Sequence, residues 1–166
     1  MQVRIRETGA VMYEGEFRAL HPNTSFPPQI DEATLNAFGA DVVFEGPQAS
    51  GGNVYQYSQA AGVEQVDGKW YTKYILGPVF TDRAEQGDQP AQTAAEQEAA
   101  YKAIKDAEQA KSVRTSRNDK LKECDWTQIT DSTADKEVWA TYRQALRDVT
   151  AQTGFPWNVD WPTQPE

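Results

Sequence analysis

Apolar and polar positions follow one rhythm up to about residue 80 and another after it. In the first stretch Val3 and Ile5 alternate with Gln2, Arg4 and Arg6, and Asp41-Val-Val-Phe44 is a short apolar run. Both patterns predict strands. The strongest turn signal, Asp67-Gly68, separates Val63–Val66 from Lys69–Leu76, two runs of strand composition that are expected to pair as a hairpin. One short helix is expected over Asp31–Phe38, with Asp31 as its N-cap and Gly39 as its stop. The first eighty residues therefore read as a small α+β domain.

From Thr93 the spacing turns helical. Thr93 and Glu96 stand at capping-box distance, and no Gly or Pro interrupts the Ala-, Lys-, Glu- and Gln-rich run to Lys122. At 1.5 Å per residue such a helix reaches roughly 45 Å, longer than so small a module can cover with its own residues. Its apolar stripe of Ala100, Ile104 and Ala107 meets Lys111 and Arg114 at the same heptad positions before Leu121. A coiled coil would keep Leu, Ile or Val there. The helix thus reads as a spacer with one weakly apolar edge, supported by the i,i+4 pair Glu98 and Lys102.

Ser132 and Asp135 repeat the capping-box spacing ahead of Trp139, Tyr142, Leu146 and Val149, a second amphipathic helix ended by Gly154. The segment from Phe155 to Pro165 is rich in Pro and aromatics and excludes a regular helix or central strand. An extended tail is expected there, with its aromatics folded back on the two helices. The organisation predicted is a domain over 1–80, a linker over 81–92, a connecting helix over 93–122 and a carboxy-terminal module over 123–166, α+β as a whole.

The net charge of −9 has no basic stripe to offset it, which argues against nucleic acid and anionic membrane surfaces as partners. A mean hydropathy of −0.74 leaves these small cores little to spare, so a protein partner would help. Cys124 is the only cysteine and His21 the only histidine, which removes cysteine-based and multi-histidine zinc sites. His21 beside Pro22 reads as a turn residue. Cys124 reads as a packing residue, because the carboxylate of Asp125 beside it would disfavour a thiolate. No cofactor, metal or catalytic residue is assigned. The start, Met1-Gln-Val-Arg-Ile-Arg, lacks the apolar stretch of a signal peptide or membrane span, so neither export by that route nor anchoring is expected.

Three segments of the last third carry a resemblance: Lys122-Glu-Cys-Asp-Trp-Thr-Gln128 with Asp131 nearby, Trp139-Ala-Thr-Tyr-Arg-Gln-Ala-Leu-Arg147, and Gly154-Phe-Pro156 followed by Val159-Asp-Trp-Pro162 and Pro165. Together they resemble the carboxy-terminal module of phage tail fibre assembly chaperones, with its D-W-T-Q segment, W-x-x-Y-R-x-x-L-R helix and closing W-P-x-x-P. The resemblance covers about forty-five residues. In the first module it extends only to the Pro-rich stretch Pro22–Pro28 followed by Val42-Val-Phe44. It implies a helix that joins the module to a small amino-terminal domain. It also implies a non-catalytic protein that binds the distal end of a trimeric tail fibre and promotes its folding or trimerisation in the host cytoplasm, in some phages staying on the virion. The alternative is a permanent component of the tail that takes part in recognition of host glycans. A phage muramidase is the enzyme alternative, but no Asp/Glu pair is singled out by its setting.

The family-motif residues Asp125, Trp126, Trp139, Tyr142, Arg143, Leu146, Arg147, Trp161 and Pro162 read mainly as structure. At helical spacing Trp139, Tyr142 and Leu146 form a core, which Trp161 and Pro162 cover. Arg143 and Arg147, like charges four apart, need acidic answers from Asp125, Asp131 or Asp160. For a binding surface the candidates are Tyr55, Tyr57, Trp70, Tyr71 and Tyr74, on strands where one face could gather an aromatic patch for a protein or a sugar.

Overall fold

The computed structural model describes residues 1–165 and falls into two units, Met1–Val79 and Phe80–Glu166. In the first unit the strands are β1 (Gln2–Ile5), β2 (Val11–Tyr13), β3 (Ala40–Phe44), β4 (Tyr57–Val66) and β5 (Lys69–Gly77), and the helices are α1 (Glu14–Leu20) and α2 (Glu32–Ala37). The strands form one sheet in the order β2-β1-β3-β5-β4. Only the β3–β5 pair is parallel.

Register decides what each face carries. Val3 lies opposite Met12 on β2 and Val42 on β3, so all three point to one side, where Phe17, Ile30, Leu35 and Ala40 complete a buried core. Each fully buried side chain of the size of Phe17 or Leu35 contributes about 1.5–3 kcal/mol. Gln2, Arg4, Tyr13 and Val43 point to the other side. The Asp67-Gly68 turn has φ of 49° and 78° at its two residues, the doubly left-handed form that matches the twist of a hairpin. The hairpin is longer than its sequence signal: β4 begins at Tyr57 and is interrupted by a bulge between Ala60 and Val63, where Gly62 has φ of 88°.

The helix over Asp31–Phe38 forms with the expected cap, the Asp31 carboxylate accepting from the Thr34 N–H at 2.8 Å. It is not the only helix of this unit. α1 forms around Gly15 because the Glu16 carboxylate accepts the Tyr13 N–H at 2.7 Å and Arg18 pairs with Glu14 at 2.6 Å.

In the second unit the stretch over 81–92 is paired with itself through bridges between Arg83 and Gln92 and between Gln86 and Gln89. It is also bonded to the helix that follows: the Asp82 carboxylate accepts from the Ala94 N–H, and the Gln97 amide donates to the Thr81 carbonyl, both at 2.7 Å. That helix, α3 (Ala94–Glu123), opens with the reciprocal Thr93–Glu96 capping box.

The packed face of α3 differs from the stripe drawn from its sequence. Ala100, Ile104 and Ala107 are exposed, whereas Ala110, Val113, Leu121 and Cys124 face inward, with Arg117 between them. This second series steps by three and four residues, so it keeps to one side of a helix. The long side chains of Lys111 and Arg114 fall beside that seam, not on it. The second helix, α4 (Lys136–Asp148), is capped by Asp135, whose carboxylate accepts from the N–H groups of Glu137 and Val138. Ser132 accepts instead from the Ala134 N–H within the loop. α4 ends in a single 3-10 turn, Val149–Ala151, ahead of Gly154.

Candidate functional site

The D-W-T-Q segment forms a 3-10 turn, Asp125–Gln128, directly after α3. Its fold comes from local bonds. The Thr127 hydroxyl, fully buried, donates to the Cys124 carbonyl at 2.7 Å, and the Cys124 thiol donates to the Leu121 carbonyl at 3.2 Å. Reversal of the chain here brings α4 onto the end of α3, and Cys124, Trp139, Tyr142 and Leu146 form a core joined by Leu121 and Ala134.

Arg143 lies in the middle of this arrangement and is almost wholly buried. One guanidinium nitrogen donates to the Leu121 carbonyl at 2.8 Å and to the Cys124 sulfur at 3.0 Å, and another donates to the Asp125 carboxylate at 2.8 Å. Burial alone would lower the pKa of such a cation, but the bonds to Asp125 and Cys124 outweigh it and hold the pKa above its ordinary value. A planar, always charged fork can serve three acceptors on two elements at once, which Lys cannot. Of the three acidic candidates only Asp125 answers Arg143. Arg147 points outward, and no ion pair of Arg147 occurs among the described residues.

The tail runs back over the helices. The Trp157 indole N–H donates to the Asp106 carboxylate at 2.6 Å, Arg114 lies 5.3 Å from the Phe155 ring, and Lys120 lies 5.6 Å from the Trp161 ring. A turn held by the Gly154 carbonyl, which accepts from the Trp157 and Asn158 N–H groups, starts this return. Pro162 and Pro165 lie along α4 beside Tyr142 and border a shallow groove of about 360 Å³ with Val138, Thr141 and Ala145. Trp126 stacks edge-on against Trp139 at 5.8 Å and remains 52% exposed; Ile129 and Val138 are similarly exposed.

In the first unit, strand alternation separates the aromatic candidates. Trp70 and Tyr74 lie on the face opposite the helices, with Gln2, Val43 and Thr72, whereas Tyr71 and Tyr57 point to the helix side. Tyr55 lies in the turn before β4. Trp70 is covered by Arg4, 3.9 Å from its ring, and Tyr71 stacks on Phe44 at 5.6 Å. Tyr74 donates its hydroxyl to the Glu45 carboxylate, a bond that raises its pKa and keeps it protonated. On the open face Tyr74, Thr72, Tyr13, Glu45 and Met1 border a concavity of about 410 Å³.

Residues 110–166 match the family model of the phage tail assembly chaperone protein. The match starts at Ala110, the first buried residue of α3, and takes in every motif residue of the carboxy-terminal module, in agreement with the resemblance to tail fibre assembly chaperones. No curated protein and no solved structure matches the chain. Similarity to the phage tail assembly chaperone family supports a chaperone role in phage tail assembly, with tail proteins as partners.

Within this matched segment, the sequence pattern did not single out Trp157, Ile129 or Val138. Trp157 carries a signal, an indole in a tail of otherwise low regularity, whose part-buried N–H takes an acceptor. Ile129 and Val138 carry none, because isolated apolar residues on a surface are common. Among the described residues no group of His, Cys, Asp and Glu is placed to hold a metal, and no helix is long and apolar enough to cross a membrane.

Proposed function

We propose that the chain is a tail fibre assembly chaperone: it binds the distal end of a trimeric tail fibre in the host cytoplasm and assists the folding or trimerisation of that fibre. The observation that carries this reading is the match of residues 110–166 to the phage tail assembly chaperone family over a module that is closed by its own core. Binding is the chemistry its surfaces suit. Trp126, Ile129 and Val138 leave apolar area exposed on the matched module, and half-exposed Trp is the side chain most often found at the energetic centre of an interface. In the first unit Trp70 and Tyr74 on the open sheet face, and Tyr55, Tyr57 and Tyr71 away from it, are the aromatic contacts proposed for a partner. No catalytic role is proposed.

Purified chain mixed with the tail fibre protein of the same phage should elute as a complex in size-exclusion chromatography, and mass spectrometry of purified virions should find the chain absent or far below the fibre. Stoichiometric presence in virions would favour a permanent tail component, one able to face host glycans. Failure to form any complex would remove the chaperone reading.

A further inference from the structure

We infer that the outer edge of β4 is where an extended strand of the client adds to the sheet of the amino-terminal unit; the identity of that client as a tail fibre rests on the proposed function. β4 is ten residues long and terminal in its sheet, whereas the opposite edge, β2, has three. Among the described residues no strand pairs with the outer side of β4.

The hairpin turn fixes which groups face outward. A two-residue turn with both central φ values positive makes Val66 and Lys69 the last mutually bonded pair. Bonded and non-bonded pairs alternate along an antiparallel ladder, so Gln65 and Val63, opposite Trp70 and Thr72, direct their N–H and C=O groups away from β5. Only another extended backbone offers donors and acceptors at matching spacing over such a row. Edges that are kept free are usually blunted by charged side chains, Pro or bulges. β4 has no Lys or Pro; its bulge at Gly62 and its one charge, Glu64, leave Val63–Val66 in unbroken register with β5, and Val66 and Tyr57 at the two ends of the strand are about half exposed.

Charge decides between occupants. The single charge on β4 is Glu64, and the chain as a whole carries −9, so a second copy would bring like charges together along the seam. A less acidic client meets no such opposition. Fibre chains that have not yet trimerised expose unpaired strands, which is the chemistry this edge complements.

The test is amide hydrogen exchange of the full chain, alone and in complex with the tail fibre protein of the same phage. The Val63 and Gln65 amides should slow by about tenfold or more in the complex, as an added backbone hydrogen bond requires. In parallel, Gln65→Pro removes an outward N–H without loss of a bond to β5, so the variant should keep its melting temperature and bind the fibre about tenfold less tightly. Unchanged exchange at both amides, or unchanged binding by folded Gln65→Pro, would overturn the inference while leaving the chaperone reading intact. If the variant unfolds, exchange in the unaltered chain decides alone. Slowing that depends on the chain's own concentration without fibre would assign the edge to a second copy and overturn it too, and absence of any complex would remove this inference together with the proposed function.

Discussion

Arg143 on α4 donates to the Asp125 carboxylate across 18 positions of sequence, and the two ends of that bond differ sharply in exposure, with side-chain accessibilities of 11% and 64%. The inequality predicts unequal mutants. Arg143→Ala would remove a buried side chain and the stronger of the two donors to the Leu121 carbonyl, leaving only the Cys124 thiol, at about 2 to 4 kcal/mol. Asp125→Asn keeps an acceptor in a solvent-screened position and should cost about 1 kcal/mol or less. Chemical denaturation of the two variants checks the ratio, and equal losses would show that the charge pair, not the buried fork, holds the module.

Trp139→Ala should cost about 3 to 5 kcal/mol by loss of packing, comparable with the whole stability of a module this small. Truncation after Pro156 should damage the same module by removing the Trp157 bond to Asp106 and the prolines along α4. Both should lose the near-UV signal of ordered Trp. If Trp139→Ala instead keeps its melting temperature and loses only the fibre, Trp139, Tyr142 and Arg143 belong to the binding surface.

Gly154→Ala tests the turn that starts the tail. A Cβ at this position would stand 2.1 Å from the Asn158 carbonyl oxygen, a backbone atom that cannot swing aside. Strain of that kind typically costs about 1–3 kcal/mol or more, and the melting temperature should fall accordingly. An unchanged melting temperature would mean that the return of the tail does not depend on this close approach.

Much of this was legible in the sequence wherever one short signal decides the outcome. Asp67-Gly68 marks its turn, and Thr93 with Glu96 marks its helix, because neither needs distant partners. The Ser132–Asp135 spacing pointed to a capping box led by Ser132, but the cap is Asp135, whose carboxylate reaches two N–H groups while Ser132 bonds within the loop. α1 was hidden by Gly15 and by its length of seven residues, too short for a period to show. The seam on α3 depends on what α4 presents to it, a tertiary fact absent from local pattern. Trp70 and Tyr71, by contrast, are adjacent on a strand, so their placement on opposite faces could have been read directly.

Acid should loosen helix starts in a defined direction. Bonds from Thr34 hold the Asp31 carboxyl below its ordinary 3.8, and bonds from Thr93 hold Glu96 below its ordinary 4.5. A carboxylate with a depressed folded pKa contributes stability that is fully present above the ordinary value and is lost as pH falls through the lower folded one. Helical circular dichroism should therefore begin to fall only below these values, and Asp31→Asn, which keeps an acceptor without titrating, should flatten part of the loss. A variant whose acid transition matches that of the unaltered chain would show that the Asp31 cap is not among the groups responsible.

The central claim is most directly tested by the yield of soluble, trimeric tail fibre when the fibre is expressed with this chain and without it. Unregistered fibre strands expose edges that aggregate, so co-expression should raise both the soluble fraction and the share that runs as a trimer. Equal yield and equal trimer content in the two cultures would contradict the chaperone account.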